Sequence, residues 1–135
     1  MKRYMIAVIL LIVLTGCTQK KEKVIENSGM IEVREDMPVK AKYLRLWIYA
    51  LEVETEDPDT ILELLEEIRD LKLGESTKMS MTDNTNQIIF EYEDGTSMHY
   101  EFEGNIYIKN SSERYIVTGG LDQLGYTLEQ LVSGN

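Results

Sequence analysis

Ile88-Ile89-Phe90-Glu91-Tyr92-Glu93-Asp94-Gly95-Thr96-Ser97-Met98-His99-Tyr100-Glu101-Phe102 is the stretch whose reading decides the fold. Two runs of alternating residues flank Asp94-Gly95, the pattern of a β-hairpin. Ile88, Phe90 and Tyr92 share one face of the first run; Met98, Tyr100 and Phe102 share one face of the second. A two-residue loop, Asp94-Gly95, would set Phe90 opposite His99 and mix core with polar residues. A three-residue loop, Glu93-Asp94-Gly95, sets Phe90 opposite Met98 and Ile88 opposite Tyr100, which keeps one apolar face. It also puts Gly95 at the left-handed bulge position of such loops. The second register is expected.

Downstream, Gly104-Asn105 predicts a turn, Ile106-Tyr107-Ile108 a strand, Asn110-Ser111-Ser112 a further turn and Tyr115-Ile116-Val117 a last strand. Gly119-Gly120 ends it. Leu121, Leu124, Leu128 and Leu131 then recur at helical spacing and predict a short C-terminal helix that Gly125 weakens.

Upstream, Tyr43 to Val53 is apolar on both faces and predicts one central strand. Asp57-Pro58-Asp59-Thr60 opens a helix: Asp57 caps, Pro58 suits the first helical position and Asp59 favours the positive end of the dipole. Ile61, Leu64, Leu65, Ile68 and Leu71 form its core stripe, and Gly74 is placed to supply a left-handed C-cap. Glu75 to Asn86 reads as a polar loop. The fold class is α+β. An antiparallel sheet of about five strands is expected, with one main helix packed on a face and a short C-terminal helix. The single globular domain is placed at residues 41–135.

The N-terminus carries an address. Met1-Lys2-Arg3 is basic, and the ten residues Met5 to Leu14 are uniformly apolar. That length is about half of what a membrane-spanning helix needs and fits the h-region of a signal peptide. Leu14-Thr15-Gly16-Cys17 follows at once and resembles the lipobox of bacterial lipoproteins. Leu14, Thr15 and Gly16 would be recognised by the signal peptidase. The Cys17 sulfur would take a diacylglyceryl group and become the new N-terminus. Residues 1–16 are therefore read as a signal peptide, and residues 17–40 as the lipidated cysteine with a flexible tether. Ile31 and Val33 alternate and suggest a short strand inside it. Two acyl chains on Cys17 would hold the chain stably to the bilayer, where one would do so marginally. Lys20, Lys21 and Lys23 would lie near the headgroups.

The chain has 14 Lys+Arg against 24 Asp+Glu, a net charge of −10. Removing residues 1–16 takes Lys2 and Arg3 with it and moves that charge to −12. Such a surface is repelled by nucleic acid, which is excluded as a partner. With one cysteine in the chain, no internal disulfide forms.

Catalytic patterns are sparse. No Gly-x-Ser-x-Gly turn, Gly-rich phosphate loop or second cysteine occurs. Asp83-Asn84-Thr85-Asn86 lacks the Gly and closing Glu of a calcium loop. His99, the one histidine, falls on the polar face of its strand beside Glu91 and Glu101, spread along a surface rather than converging. No cofactor, metal or catalytic residue is expected. Tyr43, Trp47 and Tyr49 share a strand face and are the candidate binding surface. Exposed together they would form a patch for protein or glycan; the competing reading has a helix or the sheet's second face covering them.

The lipobox, Ser76 and Asp83 in a polar loop, then Ile88-Ile89-Phe90-Glu91-Tyr92-Glu93-Asp94-Gly95-Thr96, Tyr100-Glu101-Phe102, Ile106-Tyr107-Ile108, Tyr115-Ile116-Val117 and a closing leucine segment form a familiar succession. Together they resemble small lipoproteins of Bacillus-type bacteria that carry a YhfM-like domain, over about residues 41–133. The resemblance implies a lipid-anchored, extracytoplasmic protein of the cell membrane and assigns no activity. Three functions stay open. The first is a non-enzymatic binding or accessory module for an envelope protein or wall glycan. The second is an inhibitor or immunity-type lipoprotein against a basic enzyme. The third is a small carboxylate-dependent hydrolase.

Overall fold

The computed structural model describes residues 25–26, 31–46, 50–78 and 85–134. The signal-peptide and lipobox residues, Cys17 included, lie outside the described residues, as do Trp47, Tyr49, Asp83 and Asn84.

Strands β5 (Thr85–Glu91) and β6 (Ser97–Glu103) form the expected hairpin. Ile88 pairs with Tyr100 and Phe90 with Met98. Gly95 has φ 85°, and hydrogen bonds Tyr92 N to Thr96 O (2.9 Å) and Gly95 N to Tyr92 O (3.0 Å) close the three-residue loop. Asp94 fixes the turn by accepting from Thr96 N at 2.9 Å. Gly104-Asn105, with Gly104 at φ 59°, leads into β7 (Ile106–Ile108). Asn110 accepts from the backbone of Ser112 and Glu113, both at 2.9 Å, before β8 (Arg114–Gly119). Gly120, at φ 91°, starts the C-terminal helix.

The segment Tyr43–Val53 departs from expectation. It is two antiparallel strands, β2 (Lys40–Leu46) and β3 (Ala50–Thr55), with Leu46 opposite Ala50. A largely apolar run that contains no Gly, Pro, Asn or Asp gives no turn signal to divide it. Helix α1 (Pro58–Arg69) starts as expected, with Asp57 accepting from Thr60 N at 3.1 Å. The bond from the Thr60 hydroxyl, and then that backbone bond, hold the Asp57 carboxyl below its usual range. The helix ends earlier than its leucine stripe suggests. Asp70 is its C-cap in the right-handed region, and Gly74 caps nothing. Gly74 lies in a further strand, β4 (Lys72–Ser76), where a Cβ would meet Thr118 Cγ2 at 2.8 Å. Its glycine is thus a close-approach residue between strands. Leu71 and Leu73 are fully buried, one leaving the helix and the other in the strand, so their spacing mimics one more helical turn.

The tether boundary also moves. Ile25–Glu26 forms a two-residue strand, β1, paired with β4. Residues 31–40 run along the domain as an arm. Ile31, 4% exposed, enters the core, and Val33 packs against it; neither belongs to a strand. Glu32 O accepts from the Tyr100 hydroxyl. The Arg34 guanidinium lies 3.8 Å from the centre of the Tyr92 ring and reaches Asp36, Asp94 and Thr96.

The sheet order is β1-β4-β8-β7-β6-β5-β2-β3, antiparallel at every pairing. Among the described residues, seven strands and a two-residue edge replace the about five expected; the α+β class stands. Two rows of one face matter for function. Val53, Tyr43, Ile88 and Tyr100 are in register across four strands. The next row is Arg45, Asn86, Phe102, Tyr107 and Tyr115. Helix α2 (Leu121–Ser133) lays Leu124 and Leu128 on these rows, and both helices share one core with them. Phe90 and Tyr100 meet edge to face, centroids 5.8 Å apart.

Candidate binding cleft

Where α2 crosses the sheet, the packing is incomplete. A cavity of about 90 Å³ opens between Tyr43, Ile88 and Phe102 of the sheet and Leu121, Leu124 and Leu128 of the helix, with Gly104 and Gly125 at its sides. Its outer part is lined by Tyr43, Arg45, Asn86, Asp122 and Glu129.

The cleft follows from local sequence. Leu121, Gly125, Leu128 and Val132 succeed one another on one face of α2. Gly125 interrupts that apolar row, and a Cβ there would meet nothing within 4 Å. Glycine inside a helix costs about 1 kcal/mol relative to alanine. Here neither a left-handed backbone nor a crowded neighbour explains it. On the sheet side, Arg45 and Asn86 stand directly opposite each other in a row otherwise completed by aromatic residues.

The polar groups at the mouth are unequally satisfied. Arg45 Nε donates to the Tyr43 hydroxyl at 3.3 Å, and Arg45 Nη2 is ion-paired with Glu129 across the opening. The bond to Tyr43 and then the Glu129 carboxylate hold the guanidinium pKa above its ordinary value. Asn86 Oδ1 is buried and has no hydrogen-bond partner among the described residues, an omission worth about 1–3 kcal/mol. Glu67 Oε2 and the Tyr92 hydroxyl are also buried without partners, but neither residue lines this cleft.

The sequence-derived site residues are divided by the structure. Tyr43 is 4% exposed and belongs to no exposed patch; its ring is a wall of the cleft. Trp47 and Tyr49 lie outside the described residues. His99 is exposed, its Nε2 3.0 Å from Ser97 Oγ. Thr85 and Asn86 belong to β5 rather than to a loop. Asn86, Arg45 and Gly125 are the residues that sequence pattern did not mark as a site. The available signal was Gly125, a glycine in the middle of a leucine periodicity.

No family model matches the chain, and neither a curated protein nor a solved structure matches it.

Proposed function

We propose that the protein is a lipid-anchored, extracytoplasmic binding module of the bacterial cell membrane, held by a diacylglyceryl group on Cys17. The observation that carries this reading is Leu14-Thr15-Gly16-Cys17 directly behind the apolar run Met5 to Leu14. The resemblance to YhfM-like lipoproteins agrees with that address. The cleft under α2 supports binding as the role of the domain, because it is an apolar hollow with a few convergent polar groups, the usual make-up of a small-molecule site.

The test is metabolic labelling with radioactive palmitate followed by fractionation. The wild-type chain is expected to carry label and sediment with membranes. Cys17→Ala is expected to lose the label. Label retained in Cys17→Ala, or an unlabelled wild-type chain, would overturn the anchor. Crosslinking in intact cells tests binding of a protein: a reproducible neighbour is expected, and recovery of the chain alone counts against a protein partner.

A further inference from the structure

The binding reading leaves the ligand unnamed, and the cleft's chemistry narrows it. Its floor is wholly apolar, made by Ile88, Phe102, Leu124 and Leu128. An apolar cavity of about 150 Å³ accepts benzene. The 90 Å³ here therefore suits a smaller group, such as a branched alkyl chain of three or four carbons.

Its mouth is a set of acceptors. Among the described residues, Asn86 Oδ1 lacks a donor, and the lining carries two carboxylates, Asp122 and Glu129, against one guanidinium, that of Arg45, which is ion-paired with Glu129. The local balance is one negative charge in excess. A bound water could satisfy Asn86, yet it would leave the apolar floor empty and Gly125 unexplained. An alkyl group with a hydrogen-bond donor and a positive charge answers all three features together.

Resting on the binding-module reading, we infer that the cleft holds a primary ammonium joined to a short branched aliphatic group. An aliphatic amino acid carries this chemistry, and so does the amino-terminal residue of a peptide. The alkyl group lies over Leu124 and Leu128 and passes Gly125. The ammonium donates to Asn86 Oδ1 and faces Asp122 and Glu129. A free amino acid would also bring a carboxylate, which Arg45 can take in exchange for Glu129; a peptide amino terminus would not need that exchange.

The experiment is isothermal titration of the full mature chain in detergent micelles with L-leucine, L-leucinamide and 4-methylpentanoate. Leucinamide is expected to bind at least tenfold more tightly than 4-methylpentanoate, which keeps the alkyl group and lacks the ammonium. Leucine binding tenfold tighter than leucinamide assigns the free amino acid. Equal or weaker binding of leucine assigns the peptide terminus. Gly125→Leu, which places a side chain where the ligand's would lie, is expected to abolish binding with its circular dichroism spectrum and Tm retained. Asn86→Leu is expected to weaken leucinamide at least tenfold and to spare its folding. Binding of 4-methylpentanoate as tight as leucinamide, full binding to Gly125→Leu, or no binding of either amine would overturn the inference. A neighbour still crosslinked to Gly125→Leu in cells would then show that the ligand assignment had failed and the binding role had not.

Discussion

The two ends of strand β5 are built on opposite terms. At one end, Phe90 and Tyr92 are closed over by Tyr100, by the arm residue Arg34 and by a turn whose glycine is required by its backbone. At the other end, Asn86 sits under α2 beside a hollow, and the nearby glycine, Gly125, has a backbone that any residue could adopt. The first end is packed for stability. The second gives up helix propensity to stay open; an unpartnered buried polar atom does not separate the ends, since Asn86 Oδ1 and the Tyr92 hydroxyl both lack a partner among the described residues. Where a small domain forgoes stability without local need, a functional role is the physical explanation to test.

Breaking the closed end should have the largest effect. Phe90 is fully buried, and Phe90→Ala is expected to destabilise the domain by about 3–5 kcal/mol in urea unfolding. Next come the two glycines, whose substitution by the same residue should act in opposite directions. Gly95→Ala forces a Cβ into the left-handed region and is expected to cost about 1–2 kcal/mol. Gly125→Ala meets open space and should stabilise by about 0.5–1 kcal/mol. If both glycine variants destabilised equally, the contrast between the two ends would collapse. The smallest effect is an acid response. Asp94 is held below its usual range, first by Thr96 and then by Arg34, and Asp36 by Arg34. Their contributions are present above the unfolded carboxylate value, near pH 4, and are lost as pH falls through the lower folded values. Hydrogen exchange at pH 3 should therefore show the arm and the β5–β6 turn loosening relative to pH 6. Asp94→Asn should reduce that difference.

The same contrast explains what could be read in advance. The β5–β6 hairpin was legible to the residue because Asp94-Gly95 carries the turn's chemistry, and one register keeps Ile88 and Phe90 on an apolar face. The β2–β3 division was not, because residues 43–53 hold no residue that prefers a turn. Leu71, Leu73 and Gly74 imitate a helix end while building a strand, since Leu71 and Leu73 bury their side chains whichever element carries them. The arm was legible only in part: Ile31 and Val33 were marked by their alternation, but they act as isolated anchors on the core and not as a strand. Of the site, Tyr43 was a candidate for a different reason from the one its position provides. Arg45 and Asn86 are set opposite each other by the pairing of β2 with β5, and α2 then closes over them from far along the chain, long-range events that local pattern does not encode.

The pairing of Ile25–Glu26 with β4 sets how far the domain can stand from a bilayer. With the anchor at Cys17, as proposed, a chain leaving the sheet at residue 25 can extend at most about 30 Å, whatever its conformation. A leash running to residue 40 would have allowed more than twice that. Thirty ångströms is about the diameter of a small domain. The protein would thus sample a thin layer above the headgroups, and whatever fills its cleft must be delivered within that layer.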